Sequence, residues 1–343
     1  MMSKNKNIFN AVFMVVVFVA TLYYIFHGQD MGVIMGYIKN ADIRYWILAI
    51  LCVVFFIASE SVIIYYMMHT IKHKVRMVHC LLYSFIGFFF SCITPASTGG
   101  QPAQIYYMRK DKIPVPVTTP VLMIVTVTYK MVLVIIGVAV FVFRPGEIMH
   151  YLQPVIGWCY LGLLLNALCV WFMLVLIFHP TMAKTILTAL IRALNKMHVI
   201  KRIDHYMEKV NRAMQQYQDV SAYFGTHKMV VWNVLVITIV QRCVMFYVTY
   251  LTCLSFGLRG TGMITIVALQ GMISVAVEML PLPGGMGISE KLFLSMFAPI
   301  CGSITLPAMI VSRGLSFYTE LIISAIFTVV AHFVIGRERE RKN

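Results

Sequence analysis

Long apolar runs are the feature that most constrains how this chain can fold. A helix that crosses the hydrocarbon core of a bilayer needs about 20 consecutive, mostly apolar residues. Six segments meet that requirement and are predicted to span a membrane: residues 8–26, 45–68, 117–142, 153–178, 229–256 and 307–335. Only 12% of the residues are charged, whereas a soluble domain carries about 25%. We therefore expect an all-α polytopic membrane protein, with residues 1–343 forming a single membrane domain.

The first apolar run has a feature of a secretory signal peptide, since Lys4 and Lys6 precede it. It is, however, longer than the apolar region of about 7–15 residues that such a peptide contains, and no small-residue cleavage site follows. We therefore interpret residues 8–26 as a transmembrane helix that is retained.

Two further apolar regions are interrupted by proline and glycine. Residues 78–94 are short and end at Thr94-Pro95, while residues 261–280 run into "PLPGGMG" and the apolar character resumes over 286–299. Proline and glycine both disfavour the interior of a helix. Each region is either a re-entrant hairpin, over 78–109 and 261–299, or part of a set of eight or more plain spans.

The distribution of basic residues favours the hairpins, because short cytoplasmic loops of membrane proteins are enriched in Lys and Arg. If both regions turn back, every basic cluster falls on one side. Those clusters are residues 72–76, 109–112, 180–228 and the C-terminal "GRERERKN". We therefore expect six full spans, two oppositely oriented re-entrant hairpins and two cytoplasmic termini. The halves 8–178 and 229–335 then resemble the inverted repeats of transporters.

The segment 180–228 carries much of the positive charge. Its sequence "KTILTALIRALNKM" alternates apolar and basic residues at helical spacing. This pattern is typical of an amphipathic helix on the inner leaflet, and a solvated cytoplasmic helix is the alternative. The net charge of +15 favours contact with anionic lipid, and nucleic acid is not an expected partner.

Ionisable residues lie within the apolar segments, where each costs about 2.5–3.5 kcal/mol on insertion scales and therefore needs a partner or a purpose. They are Glu60, Lys130, Arg242, Arg313 and Glu320, with Glu278, Glu290 and Lys291 beside the second break. One interpretation is internal salt bridging. The other is that Lys130, Arg242 and Arg313 bind a phosphate group, for which guanidinium groups are well suited.

The two glycine-rich breaks can contribute to the same site. Non-helical backbone at membrane depth must be buried in protein or line a cavity, and N–H groups at helix starts attract anions. We therefore predict that Lys130, Arg242, Arg313 and Glu290 converge between the hairpins. The full predicted substrate-binding set is Gly99, Gly100, Gln101, Lys130, Arg242, Glu278, Gly284, Gly285, Gly287, Glu290 and Arg313.

Catalytic and metal-binding motifs are not found in the sequence. It contains no Ser-His-Asp grouping, no HExxH and no phosphate-binding Walker loop. His69, His73 and His79 are spaced like metal ligands, but they lie among basic residues with no carboxylate close in the sequence. We expect no catalytic residue, no metal and no cofactor.

Two stretches resemble the paired signatures of the lysylphosphatidylglycerol synthase transmembrane-region family, which is the membrane half of the multiple peptide resistance factor. They are "TPASTGGQPAQIYYMRKD" and "LPLPGGMGISE". The second contains P-G-G-x-G-x-x-E, formed by Pro283, Gly284, Gly285, Gly287 and Glu290. The first has Gly100-Gln101 where many relatives have Gly-Glu. The resemblance covers roughly residues 8–335.

This resemblance implies a flippase that moves phosphatidylglycerol, or an aminoacyl derivative of it, across the bacterial cytoplasmic membrane. In full-length relatives a separate cytoplasmic domain synthesises the lipid, and we expect this chain to lack it, so that a separate synthase protein would supply the lipid. The family name would otherwise suggest a phosphatidylglycerol lysyltransferase. A membrane enzyme, a partner subunit in lipid modification or a transporter of another lipid-linked substrate is the alternative, and a homodimer is possible.

Overall fold

The computed structural model describes residues 31–179, 181–182, 184–186, 188–189 and 203–337. The predicted first span 8–26 and most of "KTILTALIRALNKM" lie outside these ranges. Within them the chain is helical or in turns and contains no β-strand, which confirms the all-α prediction. The described part holds five apolar helical stretches long enough to cross a membrane. They are Ile43–Thr70, Val115–Phe143, Gly146–Phe178, Lys228–Ser255 and Ile288–Ile335.

Thirteen α-helices are described, and we number them in chain order. They are α1 (Met31–Lys39), α2 (Ile43–Thr70), α3 (Met77–Ile93), α4 (Gly100–Lys110), α5 (Val115–Phe143), α6 (Gly146–Leu152), α7 (Ile156–Phe178), α8 (Ile203–Thr226), α9 (Lys228–Ser255), α10 (Met263–Val277), α11 (Ile288–Cys301), α12 (Thr305–Arg313) and α13 (Thr319–Arg337). A 3-10 turn at Gly302–Ile304 and a π-helical turn at Gly314–Tyr318 join the last three helices.

Local sequence explains where the long helices begin and end. The carboxylate of Asp42 accepts a hydrogen bond from the N–H of Arg44 at 3.0 Å and caps α2, as expected for an Asp N-cap. Pro114 immediately precedes α5, where its fixed φ suits a helix start. The same helix ends at Arg144, which has a left-handed φ of 43°, and Pro145 then precedes α6.

Each interrupted region folds as two helices that pack against each other on either side of a break. The first unit is α3 and α4, joined through residues 94–99, and the second is α10 and α11, joined through residues 278–287. These units correspond to the predicted hairpins at 78–109 and 261–299. The helix α11 continues through the 3-10 turn into α12 and α13, which contain the predicted span 307–335.

The two breaks meet. The backbones of Pro95 and Pro283 form an isolated antiparallel bridge. The two residues after each proline have positive φ, at 50° and 55° for Ala96 and Ser97 and at 58° and 64° for Gly284 and Gly285. The two breaks therefore follow a similar local backbone course and touch each other.

Each helix pair contributes to its own apolar core. Tyr83 of α3 and Met108 of α4 are fully buried in one cluster, which also includes residues of α2, α5 and α9. Met272 of α10 and Phe297 of α11 are fully buried in a second cluster with residues of α5 and α9. The long helices α5 and α9 thus connect the two units and fix them on either side of the space between the breaks.

The segment 180–228 packs on the helix bundle over its second part. Helix α8 contacts α5, and Phe224 is fully buried. The hydroxyl of Tyr217 donates to the carbonyl oxygen of Leu176 at 3.0 Å. The apolar face of α8 is therefore covered by protein, at least around these two residues.

Candidate functional site

A cavity of about 420 Å³ lies where the two breaks meet α2, α5, α9 and α13. Ala96 and Ser97 line it from the first break, and Leu282 and Gly284 line it from the second. This volume falls in the range of about 300–1,000 Å³ that is usual for small-molecule sites. The space between the breaks can therefore hold a polar headgroup.

Most of the predicted site residues lie on the wall of this cavity. Those that line it are Gly100, Gln101, Lys130, Arg242, Glu278, Gly284, Gly285 and Arg313. Glu290 is instead bonded to Arg313, so it contacts the site through that guanidinium group. Gly99 and Gly287 precede α4 and α11 and are not among the residues that line the cavity.

Arg313, the last residue of α12, forms hydrogen bonds that connect this helix to the second break. Its Nε donates to Glu290 Oε1 at 2.8 Å, and a terminal nitrogen donates to the carbonyl oxygen of Gly284 at 3.0 Å. The other oxygen of Glu290 accepts from the N–H of Gly287 at 2.6 Å. The aromatic ring of Phe317 lies 4.7 Å from the guanidinium carbon. Arg313 and Glu290 therefore form a bonded pair that holds the break in shape.

Glu278 has a different role, because two cations share it. Its Oε1 lies 3.9 Å from Lys130 Nζ, and its Oε2 lies 3.8 Å from a terminal nitrogen of Arg242. Both distances exceed those of a charge-assisted hydrogen bond, which is about 2.7–2.9 Å. Two positive groups thus share one carboxylate on the wall of the cavity.

Arg242 is held in position by aromatic rings and is incompletely bonded. Its guanidinium carbon lies 3.9 Å from the ring centre of Tyr129 and 5.0 Å from that of Phe246, and one terminal nitrogen donates to the Tyr129 hydroxyl. The other two nitrogens, Nε and Nη2, are buried and have no hydrogen-bond partner among the described residues. A buried donor without an acceptor costs about 1–3 kcal/mol, and more when it is charged. Arg242 therefore keeps two N–H donors that form no hydrogen bond with the described residues, although Nη2 is ion-paired with Glu278 at 3.8 Å.

The backbone N–H groups of the breaks are largely engaged inside the breaks. Gly99 N–H donates to the Thr94 hydroxyl at 2.8 Å, and Gly285 N–H donates to the carbonyl oxygen of Leu282 at 3.1 Å. Gly287 N–H donates to Glu290, as described above. The expectation that glycine-rich turns present free N–H groups to an anion is therefore not met at these three residues, because buried polar backbone first bonds within the turn. The guanidinium of Arg242 is the stronger candidate for an anion contact.

The profile of a family described as "Lysylphosphatidylglycerol synthase TM region" matches residues 11–324 of the chain. The chain belongs to this family. No curated protein matches it significantly in a sequence comparison. Family membership together with the five long apolar helical stretches makes it a multi-pass membrane protein.

This member of the synthase TM-region family has polar residues in the cavity that the sequence did not assign to the site. Gln270 of α10 lines the cavity, and its buried side-chain oxygen has no hydrogen-bond partner in the described part of the chain. Glu60 and Glu320 also line the cavity. Glu60 and Glu320 could have been assigned to the site because each is an ionisable residue within an apolar segment. Gln270 could have been found in the same way, as a polar residue in an apolar helix.

His79 also differs from the sequence expectation, which found no carboxylate near the histidines. Its Nδ1 lies 2.7 Å from Asp111 Oδ2, and the hydroxyl of Tyr83 donates to the same oxygen. Asp111 is 32 residues further along the chain, and the packing of α3 against α4 brings it there. In this family member the pair links the start of α3 to the end of α4.

Proposed function

We propose that this protein is a lipid flippase. It moves a phospholipid with a phosphate-bearing head, either anionic or aminoacylated like lysylphosphatidylglycerol, between the leaflets without changing it chemically. The observation that carries this proposal is that two buried Arg242 nitrogens form no hydrogen bond with the described residues, while Arg242 lines a cavity shared by both breaks. Guanidinium groups bind phosphate through two parallel N–H···O bonds, which requires two donors on one side of the group.

The electrostatics of the wall support a phosphate rather than a cation at this position. Lys130 and Arg242 together face Glu278 at 3.8–3.9 Å, so one positive charge is not balanced by that carboxylate. A phosphodiester bears one negative charge and supplies acceptor oxygens for Arg242. The side-chain oxygen of Gln270, which also lines the cavity, can accept a hydrogen bond from a hydroxyl of the headgroup.

The two helix pairs are proposed to be re-entrant hairpins that enter from opposite faces of the membrane. Broken helices in corresponding positions of two halves mark the substrate site in many transporters, near the midplane of the bilayer. The contact between Pro95 and Pro283 supports this arrangement, since it brings the two breaks to one depth. The headgroup would occupy the cavity while the acyl chains remain in the bilayer.

The proposed setting is the bacterial cytoplasmic membrane, with both termini in the cytoplasm. This orientation places residues 109–112 and the basic segment 180–228 on the cytoplasmic side, in line with the bias of basic residues toward cytoplasmic loops. The family description concerns lysylphosphatidylglycerol synthase, which favours lysylphosphatidylglycerol among the lipids with a phosphate-bearing head.

Lipid transfer in vesicles tests the proposal. Purified protein is reconstituted with acyl-labelled fluorescent phosphatidylglycerol, and dithionite quenching reports how much label reaches the outer leaflet, relative to vesicles without protein. Transfer should be fast with the native chain and slow with Arg242→Ala. Arg44→Ala is the matched control, because Arg44 is exposed at the start of α2 and does not line the cavity.

The chemical state of the lipid separates a flippase from an enzyme. Chromatography of the extracted lipid should show that it is unchanged after transfer. Conversion of the lipid would favour the enzyme alternative. Transfer at the native rate in Arg242→Ala would refute the role of Arg242 in phosphate binding.

A further inference from the structure

Glu60 and Glu320 differ from Glu278, which also lines the cavity, and from Glu290, which is bonded to Arg313 beside it. Glu60 and Glu320 line the cavity, and both are 8% exposed. In the described ranges neither forms an ion pair with a Lys, Arg or His side chain, whereas Glu278 and Glu290 do. Glu60 accepts a hydrogen bond from Gln104 at 2.8 Å, and Glu320 accepts one from the thiol of Cys92 at 3.6 Å.

A buried carboxylate without a basic partner is expensive in its ionised form. The number of protons that Glu60 and Glu320 retain therefore depends on the charges that surround them. The charged and titratable groups that line the cavity with Glu60 and Glu320 are Cys92, Tyr129, Lys130, Cys169, Arg242, Glu278 and Arg313. Glu320 is close enough to interact electrostatically with Arg242, Glu278 and Glu60.

The charge balance of this cluster depends on whether a phosphate is present. Three cations, Lys130, Arg242 and Arg313, are paired with two carboxylates, Glu278 and Glu290, which leaves one positive charge. Without a headgroup, the cluster is neutral when one of Glu60 and Glu320 is ionised and the other holds a proton. With a phosphodiester bound, it is neutral only when both hold a proton. Because net charge is costly in a low-dielectric interior, binding of the phosphate favours uptake of about one proton.

We propose that Glu60 and Glu320 take up a proton together with the phosphate headgroup, so that this protein couples lipid movement to proton movement. The proton passes from water, on the side to which the cavity is open, to a carboxylate oxygen. It returns to water when the phosphate leaves on the other side. Proton and anionic headgroup therefore move in the same direction, so a pH difference across the membrane moves the lipid from the acidic to the alkaline side. This inference rests on the proposed function, because it requires that a phosphate headgroup enters the cavity and leaves it on the other side.

The bonds of both carboxylates connect this event to the first hairpin. Gln104, which contacts Glu60, belongs to α4 and also donates to the carbonyl oxygen of Tyr83 in α3 at 3.2 Å. Cys92, which contacts Glu320, lies in the last turn of α3. Each carboxylate changes from an acceptor only to a possible donor when it is protonated. Protonation therefore changes contacts on both arms of the hairpin, next to the break.

Calorimetry of the purified full chain in detergent tests the inference. Dioctanoyl phosphatidylglycerol is titrated at one pH into protein in two buffers that differ in ionisation enthalpy. The difference in heat gives the number of protons taken up per lipid. The native chain should take up about one proton per bound lipid. The Glu60→Gln/Glu320→Gln variant mimics the protonated pair, so it should still bind the lipid but take up almost none.

Glu147→Gln is the control, because Glu147 is exposed in α6 and lies outside the cavity lining; this variant should keep the native uptake. If the double variant does not fold, the single variants Glu60→Gln and Glu320→Gln replace it, and each should take up fewer protons per bound lipid than the native chain. Lipid binding by the native chain without proton uptake would overturn the coupling and leave the flippase proposal intact. Undiminished uptake in the Gln variants would overturn the assignment to these residues. No binding by the native chain would overturn both proposals.

Discussion

The backbone of Pro95 lies antiparallel to that of Pro283, so the two helix breaks touch beside the cavity. Neither break can extend into regular helix, since proline lacks the N–H group that a helix interior requires. Both breaks line the cavity immediately after these prolines, through Ala96 and Gly284. A headgroup that passes from one side of this contact to the other requires the two breaks to separate.

A crosslink between the breaks should therefore stop lipid transfer. Directly paired antiparallel residues have Cα atoms about 4.5–5.5 Å apart, which lies within the range that a disulfide can bridge. In the Pro95→Cys/Pro283→Cys variant, oxidation should form the bond and abolish dithionite-detected transfer, and reduction should restore it. Each single variant controls for loss of the proline. Full transfer by the crosslinked protein would show that the breaks do not need to part.

The proposed orientation predicts which loops can be labelled from outside the cell. Lys110→Cys and Thr226→Cys lie at the ends of α4 and α8, on the predicted cytoplasmic side. They should react with a membrane-impermeant maleimide only after the cells are opened. Arg259→Cys, in the exposed loop before α10, should react on intact cells. Labelling of residue 110 or 226 from outside would contradict two re-entrant hairpins.

Much of the architecture could be predicted from local sequence. Proline and glycine clusters located both breaks, and the helix pairs in the structure begin and end within two residues of the predicted limits, at 77–110 and 263–301. Helix limits depend on nearby residues, which a sequence shows directly. The partners of buried charges cannot be predicted in this way, because they depend on which helices, distant in the sequence, pack together.

The charge pairs show this limit clearly. The sequence places two arginines, Arg242 and Arg313, within apolar segments and does not distinguish their roles. Only the packing of α9 and α12 shows that two nitrogens of Arg313 donate to Glu290 and Gly284, whereas two nitrogens of Arg242 form no hydrogen bond with the described residues. The contact of His79 with Asp111 was missed for the same reason.

Gly284 should tolerate alanine less well than Gly257 does. Both have positive φ, at 58° and 77°, which costs an L-residue about 1–2 kcal/mol. A Cβ at Gly284 would also overlap the ring of Phe317, whereas one at Gly257 meets no atom within 4 Å. Overpacking adds about 1–3 kcal/mol. Thermal unfolding in detergent should therefore show a larger loss of stability for Gly284→Ala, and Phe317→Leu should recover part of it. Equal losses would show that the ring makes room at no cost.

Arg313→Ala and Arg242→Ala should separate stability from lipid transfer. Removal of Arg313 leaves Glu290 buried without its base, and breaking a buried pair in this way costs about 3–5 kcal/mol. The melting temperature should fall markedly, and adding Glu290→Gln should restore part of it. Removal of Arg242 leaves Glu278 with Lys130 at 3.9 Å, so the loss of stability should be smaller.

Lipid binding should be weakened more by the loss of Arg242 than by the loss of Glu290. A hydrogen bond to a charged group contributes about 1.5–3 kcal/mol, and each 1.4 kcal/mol corresponds to a factor of ten. Arg242→Ala should therefore weaken phosphatidylglycerol binding about 10- to 100-fold at a temperature where the variant is still folded. Glu290→Gln with Arg313 intact should bind the lipid nearly as well as the native chain, because it keeps every cation of the cavity. A variant that lacks Arg242, melts well below the native protein and still binds the lipid normally would assign Arg242 to structure instead.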